Sequence, residues 1–201
     1  KEKKEKDRER IKASKALLDK RAEELLKNTE DLHPEITTLD FLTLRASFFP
    51  NDGDRYAILV HGYTGSRKEM MSKAAVFHSW GYSVLVPDNR AHGESDGKYI
   101  GMGWLDKDDI GLWIDWIRKR NQDVRIVLLG VSMGGATVMM AAGENFEGVE
   151  AVIDDCGYTS VWDIFADELR LLYHLPAFPI LEMCRVMIRL KAGYDIKEAS
   201  S

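Results

Sequence analysis

The sequence predicts an α/β fold: a mostly parallel sheet with helices on both faces. Three observations predict it. Short, continuously apolar runs alternate with helical stretches through the middle of the chain. Runs that are apolar throughout read as strands buried on both sides, which a parallel sheet provides. Each run is followed by a polar segment with reactive side chains, and a parallel sheet gathers such segments along one edge.

The elements justify themselves in order. Residues 1–33 form a charged helix and linker, in which Ile11, Leu18, Ala22 and Leu25 recur at helical spacing beside Leu17 and Leu26. A solvated helix docking one narrow stripe fits its interleaved Glu and Asp. A basic helix lying on a membrane surface is the alternative. His33-Pro34 ends this helix. Residues 34–160 form the core. Ile36 to Phe49 alternates loosely, as an antiparallel pair of strands would, and Asn51-Asp52-Gly53-Asp54 is a turn. The run Tyr56–Val60 precedes a helix near Lys68–Trp80, and Tyr82–Val86 precedes one near Leu105–Lys119. The run Val124–Leu129 leads into a helix after Ser132, and Val149–Ile153 ends at Asp154-Asp155. Residues 161–192 form a helical lid holding Trp162, Phe165, Tyr173, Phe178, Met183 and Met187. These side chains either line an apolar acyl site or pack as ordinary core. Residues 193–201 return toward the core.

Composition narrows the classes of function. The 201 residues are 45% hydrophobic and 30% charged, an ordinary globular balance for one domain. A formal charge of −5 gives no reason to expect nucleic acid as a partner. Cys156 and Cys184 lack metal-ligand spacing and are expected as buried free thiols, with a disulfide left open. No apolar run approaches the roughly 18 residues of a membrane span. The chain begins at Lys1, so an upstream segment is expected to have been removed. A cytoplasmic location and a membrane-associated one both stay open.

The sharpest signal is Gly130-Val131-Ser132-Met133-Gly134, which follows an apolar run and opens a small-residue segment. A strand turning abruptly into a helix through G-x-S-x-G exposes a serine hydroxyl on a strained backbone. Such a hydroxyl needs a base, and donors for the oxyanion that forms at the attacked carbonyl. The Met133 amide lies at a helix start, where N–H groups are free. The second donor is expected from the His61–Ser66 loop, at the Tyr63 amide.

Four segments together carry a family resemblance. His61-Gly62, Arg90-Ala91-His92-Gly93-Glu94-Ser95, Gly130–Gly135 and Asp155-Cys156-Gly157-Tyr158 stand in the order seen in α/β-hydrolases. The chain resembles that superfamily from about Leu39 onward, and within it a bacterial, esterase-like branch with a small helical lid. The resemblance implies the α/β-hydrolase fold with an eight-stranded sheet, a Ser-Asp-His triad and no cofactor. The strands bearing the acid and the histidine would lie beyond Ser201.

The base is the missing part. After Ser132 the chain has one histidine, His174, inside the lid, and it reads as a surface or packing residue. His61 is expected to orient the oxyanion loop and His92 to brace its own loop, while His78 and His33 read as structural. Asp155 is assigned to holding the base of the lid in preference to serving as triad acid. Asp88 and Arg90 are expected to form one buried, charge-assisted pair.

The resulting expectation is a serine hydrolase of carboxylic esters with a short acyl or aryl group. Ser132 is the nucleophile, Met133 and Tyr63 supply the oxyanion hole, and a small-molecule ester is the partner. A peripheral membrane contact through the first helix is a further possibility. The base and acid are expected past Ser201, so this reading favours a piece of a longer hydrolase. Two rivals stand beside it: a serine peptidase or amidase, and a non-catalytic binding protein of the same fold.

Overall fold

The computed structural model describes residues 2–201, with side chains from residue 4 onward. Six strands form one sheet: β1 (Glu35–Thr37), β2 (Thr43–Phe49), β3 (Arg55–Val60), β4 (Ser83–Pro87), β5 (Arg125–Val131) and β6 (Val149–Asp155). Their spatial order is β1-β2-β4-β3-β5-β6. The pairs β1/β2 and β2/β4 are antiparallel, and β4, β3, β5 and β6 run parallel. Parallel neighbours need long crossovers, and helices supply them. After a short 3₁₀ turn, α2 (Met71–Ser79) links β3 to β4. Helix α3 (Asp106–Arg118) links β4 to β5, and α4 (Met133–Gly143) links β5 to β6.

Strand periodicity divides the core into two layers. In β3, Ile58 and Val60 point to the layer under α3 and α4, while Ala57 and Leu59 point to the layer under α2. All four are fully buried, which is why the run is apolar throughout. In α3, Ile110, Trp113, Ile114 and Ile117 recur at helical spacing and bury one stripe on the sheet. Its first turn carries Asp106, Asp108 and Asp109 and its last carries Arg118, matching the sign of the helix dipole at each end. Helix α4 is buried nearly all round, so its residues are small or apolar.

The first helix, α1 (Glu2–Asn28), docks only through its C-terminal half. Leu25 is buried and Ala22 half-buried in the α2 layer, and Leu18 is half-buried, whereas Ile11 is exposed. The expected stripe is therefore shorter than its sequence period. The segment expected as a lid folds as a hairpin of α5 (Val161–Leu172) and α6 (Ile180–Ala192), and the name lid is kept for it as a label. Ser160 caps α5, its Oγ accepting the Asp163 N–H at 3.2 Å. Val161 and Leu181 sink into a third cluster with Met133, Tyr194 and Ile196. Of the lid side chains singled out from sequence, Trp162 and Phe165 pack against that cluster. Tyr173, Phe178, Met183 and Met187 are more than half exposed and lie outside the cavity shared by Ser132 and Tyr63. Strand β6 borders the sheet, and Ile153 on it is 42% exposed.

Two expectations are corrected here. Cys156 and Cys184 are free thiols, but both are exposed, because each lies on the lid side of the molecule outside the packed layers. Asp88 and Arg90 do not pair with each other. Asp88 is bound by Arg67 at 2.7 Å, and Arg90 by Asp109 at 2.7 and 2.8 Å. The chain leaves β4 at this point, and the two side chains serve different neighbours, one toward the turn before α2 and one toward α3.

Candidate active site

Ser132 stands between β5 and α4 with φ +54° and ψ −116°. A non-glycine residue is costly there and persists only when its surroundings fix it. The neighbours do so. A Cβ on Gly130 would lie 1.9 Å from the Gly134 carbonyl oxygen, and one on Gly134 would lie 2.2 Å from that of Val60. The glycines are therefore required by contact between strand, elbow and helix. Ser132 donates its N–H to the Asp155 carbonyl at 2.8 Å, which pins the elbow to the end of β6.

Ser132, Met133 and Tyr63 come together on one cavity of about 510 Å³. Met133 is the first residue of α4, so its N–H has no partner within the helix. Tyr63 follows Gly62 in the loop after β3, and its ring is half exposed. The roof comes from the lid through Ile164, Phe165 and Ile188. The far wall is the segment Lys98–Met102, which the sequence did not mark as part of the site.

That wall is held by two hydrogen bonds from outside it, and a third fixes the turn that follows it. The Tyr158 hydroxyl donates to the Met102 carbonyl at 2.9 Å, and that of Tyr194 to the Ile100 carbonyl at 3.3 Å. The Gly103 N–H donates to Asp106 Oδ2 at 2.9 Å. Burial raises both phenol pKa values, so the hydroxyls remain donors. Asp106 is buried, its Oδ1 is unpartnered, and burial pushes its carboxyl up as well. Tyr158 closes the motif Asp155–Tyr158 marked in the sequence, and Tyr194 lies in the return segment 193–201. Only their contacts reveal that they brace the pocket.

The histidines divide by position. His61 is fully buried, and its Nε2 accepts the Asn89 N–H at 3.0 Å. That bond leaves the proton on Nδ1, which donates to the Gly62 carbonyl at 2.8 Å. Burial lowers its pKa, so it acts as a neutral brace of the Tyr63 loop. His92 donates from Nδ1 to the Arg90 carbonyl at 2.9 Å and stands edge-on to His61 and Tyr63. His174 lies exposed at the tip of the lid hairpin and does not line the cavity. His78 donates to the Pro50 carbonyl at 3.0 Å, and His33 is exposed.

Asp155 needs a correction. Its side chain points to Lys73 at 3.9 Å, and the turn into the lid is organised by Asp154, whose Oδ1 accepts the Gly157 N–H at 2.7 Å. Alternation along β6 explains the exchange, since adjacent residues face opposite sides. Beneath the site, Asp88 accepts from the Arg67 backbone and guanidinium and from the Glu94 N–H, and Arg67 reaches Glu94 at 2.6 Å. This cluster ties the loop after β3 to the loop after β4.

The comparisons with known proteins bear on the family and the fold. A family model described as serine aminopeptidase, S33, matches residues 53–185. An uncharacterized protein, YqkD, of Bacillus subtilis is 31% identical over 153 residues, covering 75% of this chain and 50% of that protein. A thermostable monoacylglycerol lipase of Bacillus sp. is 29% identical over 98 residues, 47% of this chain and 38% of the lipase. Among solved structures, the Pyrococcus furiosus esterase Pf2001 superposes with a TM-score of 0.65 at 28% identity, covering 75% of this chain and 57% of the esterase. The chain thus spans half the length, or less, of these curated relatives. By the family model, the strand order and the elbow geometry together, the chain belongs to the serine aminopeptidase S33 family of the α/β-hydrolase superfamily.

Proposed function

We propose that the chain carries the nucleophile and oxyanion hole of a serine hydrolase that cleaves carboxylic esters with a short acyl or aryl group. Ser132 Oγ attacks the ester carbonyl, its proton passing to a general base. The amides of Met133 and Tyr63 hold the negative oxygen, and the alcohol leaves with that proton as the acyl-serine forms. Water, giving a proton to the base, then attacks the acyl-serine. The Oγ–acyl bond breaks, the carboxylic acid leaves, and the base returns the proton to Ser132 Oγ. The base and its acid are proposed to come from polypeptide following Ser201, in the order Ser, acid, His. One observation carries the reading: a serine held at φ +54° opens onto a cavity shared with Met133 and Tyr63. The esterase and lipase names of similar proteins support the ester over other acyl substrates.

An amidase or peptidase is the second reading, favoured by Glu168. This lid carboxylate lines the same cavity, where it could take the ammonium of a substrate with a free amine. A panel of matched esters and aminoacyl amides separates the two. In the polypeptide translated to the end of its reading frame, a fluorophosphonate is expected to label Ser132, and Ser132→Ala to abolish labelling. Labelling that persists in Ser132→Ala would overturn the assignment.

A further inference from the structure

The lid turns an apolar ridge to solvent that the cavity does not use. On α6, Met183, Val186, Met187 and Leu190 recur at the spacing of one helical face, and they are 55–81% exposed. At the hairpin tip, Leu172 and Phe178 are 69% and 76% exposed. A helical face of this spacing ordinarily meets an apolar surface.

The charges around the ridge say which kind of surface. On α6, the helix that bears the ridge, the charged side chains are Glu182, Arg185, Arg189 and Lys191, so cations dominate beside the ridge itself. The acids Asp163, Asp167 and Glu168 lie on the part of α5 away from the hairpin tip. Glu182 is itself engaged by Arg185 and Lys197, and Arg185 is committed to Asp195. Arg170, Arg189 and Lys191 remain exposed along the ridge, although Arg189 stands 3.8 Å from Asp195. An apolar stripe bordered by Lys and Arg is the pattern of a helix lying in the plane of a lipid interface. A two-fold contact with a second copy would instead set these cations against their equivalents. Ile188 of the same helix lines the Ser132 cavity, so ridge and roof belong to one hairpin.

We propose that the outer face of the lid hairpin, from Met183 to Leu190 with the tip at Leu172 and Phe178, docks on an anionic lipid surface. The proposal concerns binding and stands whether or not Ser132 is the nucleophile.

Vesicle sedimentation tests it, using pure phosphatidylcholine against phosphatidylcholine with about one third phosphatidylglycerol. The chain is expected to sediment with the anionic vesicles, less so as salt is raised. Met187→Glu combined with Leu190→Glu should lower the bound-to-free ratio at least about tenfold. Arg189→Glu combined with Lys191→Glu should weaken binding to the anionic vesicles. Leu39→Glu, at an exposed position away from the lid, should leave binding unchanged. All these positions are exposed, and circular dichroism confirms folding of each variant. Four outcomes overturn the proposal. The chain stays in solution with both vesicles. Binding is lost in Ile11→Glu with Leu17→Glu on α1 but not in the ridge variants. The ridge variants dissolve a dimer without changing sedimentation. In the complete translated polypeptide, the ridge variants leave vesicle binding unchanged.

Discussion

The backbone N–H of Ser132 is bonded to the Asp155 carbonyl at 2.8 Å, so the proposed nucleophile is fixed by the strand next to its own. The bond removes the Ser132 amide from the candidate oxyanion donors, which is consistent with the role proposed for the Met133 and Tyr63 amides. It also holds Ser132 at φ +54°, where a side chain is strained.

Strain at the elbow predicts an exchange of stability for function. Ser132→Gly is expected to raise the free energy of unfolding by about 1 kcal/mol, because glycine adopts this conformation freely. Ser132→Ala keeps the Cβ and should leave stability near that of the parent. Chemical denaturation of the two variants side by side checks the difference.

Gly134 allows the opposite substitution test. An added Cβ would meet the Val60 carbonyl oxygen at 2.2 Å, and backbone cannot move aside as a flexible side chain would. Gly134→Ala is expected to destabilise the fold by about 2–3 kcal/mol, read as a lowered denaturation midpoint. Gly143→Ala, on the same helix with open space around the new carbon, should stabilise it slightly.

Arg67 should matter far more than its place in a surface turn suggests. Its guanidinium and Asp88 are both buried, and Asp88 also accepts two backbone N–H groups. Arg67→Ala leaves that carboxylate without its cation, at an expected loss of roughly 3–5 kcal/mol. Arg125 and Asp54 form an exposed pair, and Arg125→Ala should barely shift the midpoint. Thermal melts of the two variants make the contrast.

How far the sequence reveals this molecule follows the range of the interactions. The elbow, the apolar strands and the lid helices were legible because they depend on neighbours a few residues apart. The partners of Asp88 and Arg90 were not, since Arg67 and Asp109 stand 21 and 19 residues away and local pattern does not encode such pairs. The wall Lys98–Met102 was missed for the same reason, its braces being Tyr158 and Tyr194, with the buried Asp106 fixing the turn after it. Of the α6 ridge, Met183 and Met187 were marked in the sequence only as acyl-site lining or core, and their exposure, which local pattern does not encode, shows otherwise.

The lid anchor should fail in acid. Asp195 accepts both Arg185 Nε and Nη2, at 2.7 and 2.6 Å, and this bonding holds its pKa down to about 2, from 3.8. A depressed carboxyl contributes stability above its unfolded value and loses it as pH falls through the folded one. The contribution is therefore expected to be intact above pH 3.8 and to disappear toward pH 2. Fluorescence of Trp162, which sits on α5 beside Lys197, should report the change, and Asp195→Asn should flatten it.

His61 gives the final prediction, at milder pH. Its ring is buried, neutral and bonded at both nitrogens, and burial lowers its pKa from 6.5. Below 6.5 the unfolded chain takes up a proton that the folded chain resists, so acidification favours unfolding. Stability from this group is complete above that pH and declines as pH falls toward the lower folded value. His61→Phe removes the acceptor of the Asn89 N–H and should cost about 1–3 kcal/mol at neutral pH. The same variant should also lose part of the downward slope of stability below pH 6.5, because phenylalanine has no proton to take up. Denaturant midpoints measured across that interval separate the two effects. An unchanged slope in His61→Phe would mean that other groups govern the acid response.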